Sequence, residues 1–434
     1  MKIVDIQETS VALNSSLRNA VFDFSEMTTS VVAVRTDVQV EGQAVVGYAF
    51  NSTGRYACGE VMRRRMIPRL LRADPASLQD PLTGLIDPER ALSCMMQREK
   101  PGGHTERSIA VGTIEVALWD ALAKAQRLPL HVVLARRYGD GLVPQRVPCY
   151  VGGGWYAPGK TLADLQDEIR SRLDQGYTTM KIKVGGAPIA EDLHRIEAAL
   201  EVLRDPYRLA VDANAGFDPA RSRQYAQALA PIGLRWFEEP TDPLDFELLA
   251  ELAANYSGAL ATGENLFSTQ DVRNLLRHAG LRPGQDILQI DIPQSYGLVQ
   301  FSRTLAVLRE YGWHPRQVFP HAGNLMTLAA VAGFGLGQGQ HTGLATDQLE
   351  QMPAGTGADG PNDSAFGHVL NGGDKELGIA LGRAHAHAAP TRAVVGLGVL
   401  ASPSFKVGTL LDLGAPLTGF LFGFGHLFGA GRFG

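Results

Sequence analysis

KIK at Lys181–Lys183, VDAN at Val211–Asn214, FEEP at Phe237–Pro240, TGEN at Thr262–Asn265, QID at Gln289–Asp291 and FPH at Phe319–His321 each close a short apolar run with polar residues. From Lys183 the steps to Asp212, Glu238, Glu264, Asp291 and His321 are 29, 26, 26, 27 and 30 residues. Between the runs, segments such as Leu193–Leu203, Tyr225–Ala230 and Val299–Leu308 carry the apolar period of a helix. The repeating unit is a strand followed by a helix. In a (β/α)8 barrel such a unit takes roughly 25–30 residues, and parallel strands bring every C-terminal end to one face. The side chains of Lys181, Lys183, Asp212, Glu238, Glu264, Asp291 and His321 are therefore expected to converge at a barrel mouth.

Each residue type has a task there. Asp212, Glu238 and Glu264 offer three hard oxygen donors from consecutive strands, with no Cys or His among them, which suits Mg²⁺ better than Zn²⁺. Lys181 and Lys183, two apart on a strand, share a face. Repulsion between two buried ammonium groups is expected to lower one pKa, which makes a Lys usable as a general base. Asp291 and His321 form a carboxylate–imidazole pair in which the Asp orients the ring and raises its basicity. A single carboxylate at a strand end is commonly a helix N-cap. Three at near-equal spacing, between a Lys pair and an Asp/His pair, read as a site. Glu239 alternates with Glu238 and is expected to face away from the barrel interior, as a loop or salt-bridge residue.

KIK, VDAN, FEEP, TGEN, QID and FPH, in this order, resemble the mandelate racemase branch of the enolase superfamily, over about residues 3 to 336. The detailed wording is most similar to that of D-tartrate dehydratases. The resemblance implies a (β/α)8-type barrel with an N-terminal α+β capping domain, and Mg²⁺ on Asp212, Glu238 and Glu264 stabilising an ene-diolate. It implies Lys183 as the base that takes an α-proton, with Lys181 against the substrate carboxylate keeping the pKa of Lys183 low. His321, held by Asp291, would be the acid that protonates a departing β-hydroxyl. The expected activity is dehydration of an acid sugar, D-tartrate to oxaloacetate. A racemase or epimerase of a 2-hydroxy acid would use the same set, with Lys183 and His321 as bases on opposite faces of one carbon. A third reading is a metal-binding barrel that has lost catalysis through an altered C-terminus.

Toward the N-terminus, residues 3–13, 28–38 and 44–50 alternate with β-branched residues and suggest a three-stranded antiparallel meander, followed by helical periods from about 59 to 136. The expected organisation is a capping domain over residues 1–140, barrel strands one to seven over 141–336, and a divergent Gly-rich tail over 337–434. GTIEVALWDALAKAQRLPLHVVL, Gly112–Leu134, matches a stretch of the superfamily that leads from the capping domain into the barrel. Within it Asp120 and Lys124 make an i,i+4 pair and Trp119 lies on an apolar stripe, both structural features. In the family two loops of the capping domain cover the barrel mouth. Here SSLRNAVFDFSEM (Ser15–Met27) and NSTGRYACGE (Asn51–Glu60) are richer in polar residues than a meander needs. Asn19, Lys100 in EKPGGH (Glu99–His104) and Tyr156, just beyond the first barrel strand VPCYVGG (Val147–Gly153), join Lys181 as candidate substrate contacts.

Up to GFGLG (Gly333–Gly337) the family wording holds, and from Gln338 onward it stops. Of the 49 glycines, 21 lie in the last 98 residues, a composition that weakens strands and helices alike and reads as linker or disorder. The family usually places a Glu at the end of strand eight to hydrogen-bond the substrate carboxylate. Here that position falls at or next to Gln340, which cannot supply an anionic, acceptor-only group. A reading-frame disturbance near residue 338 and true divergence of the tail both account for this. Strand eight would have to come from HTGLATD (His341–Asp347) or a neighbour, without the apolar run of a doubly buried parallel strand. The barrel is therefore expected to close poorly and the chain beyond about residue 340 to be mobile.

The remaining features narrow the function. A net charge of −5 without any Lys/Arg-rich run argues against a nucleic-acid surface, which needs a concentrated basic patch. Cys58, Cys94 and Cys149 are few, odd in number and widely spaced, and MKIVDIQE (Met1–Glu8) lacks the layout of a signal peptide; free thiols and a cytoplasmic location are expected. GFGLGQG (Gly333–Gly339) opens no strand–turn–helix unit of the dinucleotide type. His385 and His387 stand in a Gly/Ala-rich stretch and read as solvated. LTGFLFGFGHLFGAG (Leu417–Gly431) is shorter than the ~20 residues a spanning helix needs, so no membrane span is expected; exposed, it would be an aggregation hazard. The expected partner is a small acid-sugar substrate, with no nucleic acid and no membrane; the sequence leaves a homo-oligomer open.

Overall fold

The computed structural model describes residues 1–12, 17–51 and 57–341, with the short strands 379–381 and 397–399. β1 (Ile3–Ala12), β2 (Thr28–Val40) and β3 (Gln43–Phe50) form the antiparallel meander in the order β1-β2-β3. Val32, Val34 and Val45 are fully buried at alternate positions, as the pleat requires. α1 (Cys58–Val61) runs through a π-helical turn into α2 (Ile67–Arg72), and α3 (Pro88–Met96) opens on an Asp87 cap with Pro88 behind it. Cys58 is buried, and Cys94 and Cys149 are half-buried.

α4 (Glu106–Gln126) is buried without interruption from Ser108 to Lys124, because it lies between the meander and the barrel and must be covered on every side. α5 (Leu130–Tyr138) follows it. At Gly47 an added Cβ would sit 2.0 Å from the Ala117 carbonyl oxygen, so β3 and α4 meet backbone to backbone. The Asp120–Lys124 pair, 2.8 Å apart, is fully buried rather than a surface helix pair. Lys124 Nζ donates to Val46 O at 3.0 Å and Tyr48 N donates to Asp120 Oδ2 at 2.8 Å, so the pair fixes β3 on the helix.

The barrel alternates β4 (Cys149–Gly153), α6 (Leu162–Asp174), β5 (Met180–Lys183), α7 (Ile189–Leu203), β6 (Leu209–Asp212), α8 (Pro219–Leu229) and β7 (Phe237–Glu238). It continues through α9 (Phe246–Asn255), β8 (Leu260–Thr262), α10 (Thr269–His278), β9 (Ile287–Leu288), α11 (Leu298–Glu310), α12 (Leu325–Phe334) and β10 (Gly339–His341). The strands form one parallel sheet in the order β10-β4-β5-β6-β7-β8-β9. Val318 bridges Leu288 in parallel between β9 and β10, and supplies the remaining stave of the ring. Phe319 N donates to Leu288 O at 2.8 Å, Gly337 N to Val318 O at 3.1 Å and Gly339 N to Pro148 O at 2.9 Å. The ring meets at this seam through one isolated bridge and single backbone hydrogen bonds, the form that the expected poor closure takes. Strand eight is built from Gly339–His341, at the very start of the stretch that sequence pattern disfavoured; it pairs in parallel with β4, and Gly337 just before it reaches Val318. β11 (Ile379–Leu381) and β12 (Leu397–Val399) pair antiparallel as a separate sheet. The other expectations for the tail, mobility, His385 and His387 among them, lie outside the described residues.

Inside the ring, Tyr150, Ala210, Trp236, Ala261, Ile287 and Phe319 fill one layer, with Trp236 edge-on to Tyr150 at 5.0 Å and to Phe319 at 5.9 Å. This packed layer is the floor beneath the strand ends. No helix among the described residues is long and apolar enough to cross a membrane.

One buried carboxylate joins the two parts. Glu115 of α4 accepts from Leu298 N and Val299 N, both at 2.9 Å, and from Trp119 Nε1 at 2.7 Å, so it caps α11 from across the molecule. Burial pushes its carboxyl up to about 7, against those hydrogen bonds. A folded pKa above the ordinary 4.5 means that its contribution to stability is fully present below pH 4.5 and is lost as pH rises through about 7. That contribution is roughly 3 kcal/mol. Glu115→Gln should therefore flatten the pH dependence of the urea midpoint across this window relative to the parent. Parallel profiles for parent and variant would refute it.

Candidate active site

Strand register assembles the site. Lys183 lies opposite Asp212 across β5 and β6, and Asp212 lies opposite Glu238 across β6 and β7. Glu264 follows β8, Asp291 follows β9, and His321 follows the Val318 bridge. One carboxylate oxygen from each of Asp212, Glu238 and Glu264 lies within 4.8 Å of the others. Lys181 Nζ bridges Asp212 Oδ2 at 3.0 Å and Glu238 Oε1, and Lys183 Nζ donates to Asp212 Oδ2 at 2.5 Å. Asn214 N donates to Asp212 Oδ1 at 2.8 Å.

These contacts set the charges. Burial alone would raise the Asp212 carboxyl, but Lys181 and Lys183 hold it well below the usual carboxylate range. Burial and the Asp212 carboxylate push Glu238 up to about 7, against the pull of Lys181. At Lys181 repulsion from a second ammonium does not decide the outcome. Burial works against its charge, yet Asp212 and Glu238 hold its ammonium well above the ordinary value. The carboxylates outnumber the lysines, and attraction to them outweighs repulsion between the two.

Glu238 is aimed from below: its Oε2 accepts from Trp236 Nε1 and Gln289 Nε2, both at 2.8 Å, which leaves Oε1 for the cluster. Glu264 Oε2 is buried without a hydrogen-bond donor, and His321 Nε2 comes no nearer than 3.5 Å. A buried acceptor oxygen without a donor is costly unless a cation meets it. Three hard oxygens with that orphaned lone pair fit a divalent cation such as Mg²⁺.

His321 stands on the far side of the triad from the lysines. Its Nδ1 pairs with Asp291 Oδ2 at 2.8 Å, while Asp291 Oδ1 accepts from Gln294 N at 2.9 Å, so a buried and anchored carboxylate orients the ring. Burial disfavours the charged imidazole, but Glu264 and the Asp291 hydrogen bond hold its pKa above the ordinary value. Above the site, Lys183 Nζ lies 4.5 Å from the Trp155 ring centroid, and Phe24 meets Trp155 edge-on at 5.2 Å.

Residues 164–356 match the family model described as enolase C-terminal domain-like. The chain is 32% identical over 212 residues to L-talarate/galactarate dehydratase of Salmonella typhimurium strain LT2, covering 49% of this chain and 50% of that protein. It is 35% identical over 191 residues to 3,6-anhydro-alpha-L-galactonate cycloisomerase of Streptomyces coelicolor, covering 44% of this chain and 50% of that one. Over the matched stretch the barrel is similar to the C-terminal domain of enolases. The chain spans about half the length of these two curated relatives, and both are named for substrates other than tartrate. The crystal structure of L-talarate/galactarate dehydratase from Salmonella typhimurium LT2 shares the fold with a TM-score of 0.63 at 24% identity, over 77% of this chain and 80% of that one.

In the barrel the remaining candidates are placed differently from the triad. Asn19 Oδ1 accepts from Val21 N at 2.8 Å and Phe22 N at 2.6 Å, shaping its own loop. Lys100 is exposed, and its carbonyl accepts from Arg107 Nη1 at 3.0 Å. Tyr156 spends its hydroxyl on Asp192 Oδ1 at 2.6 Å, so it serves the fold at this position rather than offering a free donor. Gln340 on β10 faces inward, accepting from Tyr150 OH at 3.4 Å. Glu239 is the plain correction. It is fully buried, forms no salt bridge among the described residues, accepts from Asn265 Nδ2 at 2.7 Å, and is pushed well up by burial and by Glu264 and Asp212. Its φ of +44° lies beyond the end of β7, where strand alternation no longer decides direction. The sequence does not single out Trp236 and Gln289, the two donors to Glu238, although Trp236 stands only two residues before it.

Proposed function

We propose that the protein is a Mg²⁺-dependent acid-sugar hydro-lyase that converts D-tartrate to oxaloacetate. The observation that carries this reading is the placement of Lys183 and His321 on opposite sides of the carboxylate triad, Lys183 bonded to Asp212 and His321 facing Glu264. Asp212, Glu238 and Glu264 would hold Mg²⁺, whose chemistry there is Lewis-acid neutralisation of the charge gathering on a substrate carboxylate. Lys181 is set to lie against that carboxylate. Lys183 takes the α-proton, and Trp155 and Phe24 shield it from bulk water. His321 delivers a proton from Nε2 to the departing β-hydroxyl while Asp291 holds Nδ1. Loss of water leaves an enol that becomes the keto acid. The names of relatives, L-talarate/galactarate dehydratase and arabinonate dehydratase, support the reaction class, and the motif wording favours tartrate.

A racemase remains the second reading, because two proton-transfer groups face each other and one relative is named N-succinyl-L-Arg/Lys racemase. A Mg²⁺-dependent assay over a library of acid sugars in D₂O separates the cases. Keto acid from D-tartrate is expected; α-deuterium uptake without keto acid establishes the racemase, and binding without exchange establishes a non-catalytic barrel. Calorimetric titration supplies a check that needs no substrate. Glu264→Gln should weaken Mg²⁺ binding by more than about 100-fold, beyond the loss expected for an outer partner, and unchanged affinity would remove Glu264 from the metal site.

A further inference from the structure

Behind Lys183 lies a polar cluster that the reaction above does not use. Asp192 and Arg195 are buried one turn apart on α7, 3.1 Å from each other. Arg195 Nη1 donates to the backbone carbonyl of Lys183 at 2.8 Å, and Nη2 donates to that of Gly154 at 2.6 Å. Asp192 Oδ2 accepts from Gly185 N at 2.6 Å and Tyr225 OH at 2.8 Å, and Oδ1 accepts from Tyr156 OH. The backbone on both sides of Val184 is thus clamped by one ion pair. Gly185, at φ +93°, turns the chain immediately after the clamp.

The cluster has a second end. Tyr156 and Arg18 exchange backbone hydrogen bonds in an antiparallel bridge, Arg18 N to Tyr156 O at 3.2 Å and Tyr156 N to Arg18 O at 3.1 Å. Tyr156 also lays its ring against the Arg195 guanidinium, 4.1 Å from centroid to Cζ. The loop that carries Arg18 reaches the site through Phe24, which packs on Trp155, the ring beside Lys183 Nζ. Ala20 lies so close to Gly185 that an added Cβ there would sit 3.3 Å from the Ala20 Cβ. One residue therefore touches both the covering loop and the clamp on the base.

We propose that Asp192 and Arg195 are positioning residues for Lys183, and that Tyr156 couples them to the docking of residues 17–24 over the barrel mouth. The inference rests on Lys183 being the base. A buried ion pair adds little net stability over an apolar replacement, but fixes backbone geometry tightly when all its hydrogen bonds are made. Loss of one donor from this set should loosen the loop and the base together, because they share Asp192 and Arg195. The ammonium would keep its chemistry and lose its aim.

Tyr156→Phe keeps the ring on Arg195 and deletes only the hydroxyl. Hydrogen exchange read by mass spectrometry should show residues 17–24 and the amides of 181–185 losing protection together, with Mg²⁺ affinity by calorimetry within twofold of the parent. With a turned-over acid sugar, kcat should fall about tenfold or more while KM stays within about twofold. Asp192→Asn, which removes the carboxylate facing Arg195 and replaces one acceptor oxygen with an amide donor, should give the same paired loss to a larger degree. Loss of protection in 17–24 alone, in either variant, overturns the coupling; loss of KM with kcat intact overturns the positioning role. If the parent turns over no acid sugar, the functional reading fails, while the exchange data still decide for or against the coupling.

Discussion

Lys183→Ala abolishes exchange of the substrate α-proton with solvent, a loss on the order of 10⁴-fold, if the base is assigned correctly. Lys181 cannot take over. It is 1% exposed against 7% for Lys183, and its ammonium is held between two carboxylates that keep it charged. The variant leaves Asp212 with one ammonium neighbour in place of two, so Mg²⁺ binding should be retained or strengthened. Deuterium uptake followed by NMR, beside a calorimetric Mg²⁺ titration, checks both halves. Exchange within tenfold of the parent would remove Lys183 from the chemistry.

His321→Asn separates the two proton transfers. Dehydration should fall by about 10²–10⁴-fold, the range of a lost general acid, while α-proton exchange continues because Lys183 acts without its partner. The pH dependence has a definite sign. Glu264 and Asp291 raise the pKa of the imidazole, so the protonated acid is present at low pH and dehydration declines as pH rises through that raised value. Exchange should not follow the same limb. Equal loss of exchange in the Lys183 and His321 variants would instead make both residues bases, as a racemase requires.

Much of this site is legible in the chain because a barrel converts a regular interval into a common place. Asp212, Glu238 and Glu264 come from three different units, and only the near-constant spacing of strand ends brings their oxygens within 4.8 Å. Direction at a strand end is less legible. Glu239 follows Glu238, yet a positive φ turns it into the acidic pocket, and no alternation rule covers a residue already off the strand. Charge balance is hidden for a related reason. Two neighbouring lysines suggest repulsion in sequence, while the carboxylates that reverse the sign for Lys181 arrive from 31 and 57 residues away. Tyr156 shows how a polar residue near a site can belong to the scaffold, since Asp192 that engages it sits 36 positions later. Strand eight is hard to read in the chain because three residues paired with β4 through the backbone carry no hydrophobic pattern.

The seam between β10 and β4 also orders events on the ribosome. β4 is synthesised at residues 149–153, but its neighbour arrives only at 339–341, after every other stave of the ring. Until then one side of the first stave faces solvent or a chaperone, and nearly the whole barrel must wait in register for a three-residue clasp. Such a long-range closure makes for slow folding, and a polypeptide stalled or cut just short of residue 339 would present an open ring. Residues 339–341 thus decide whether the cup that carries the triad is sealed.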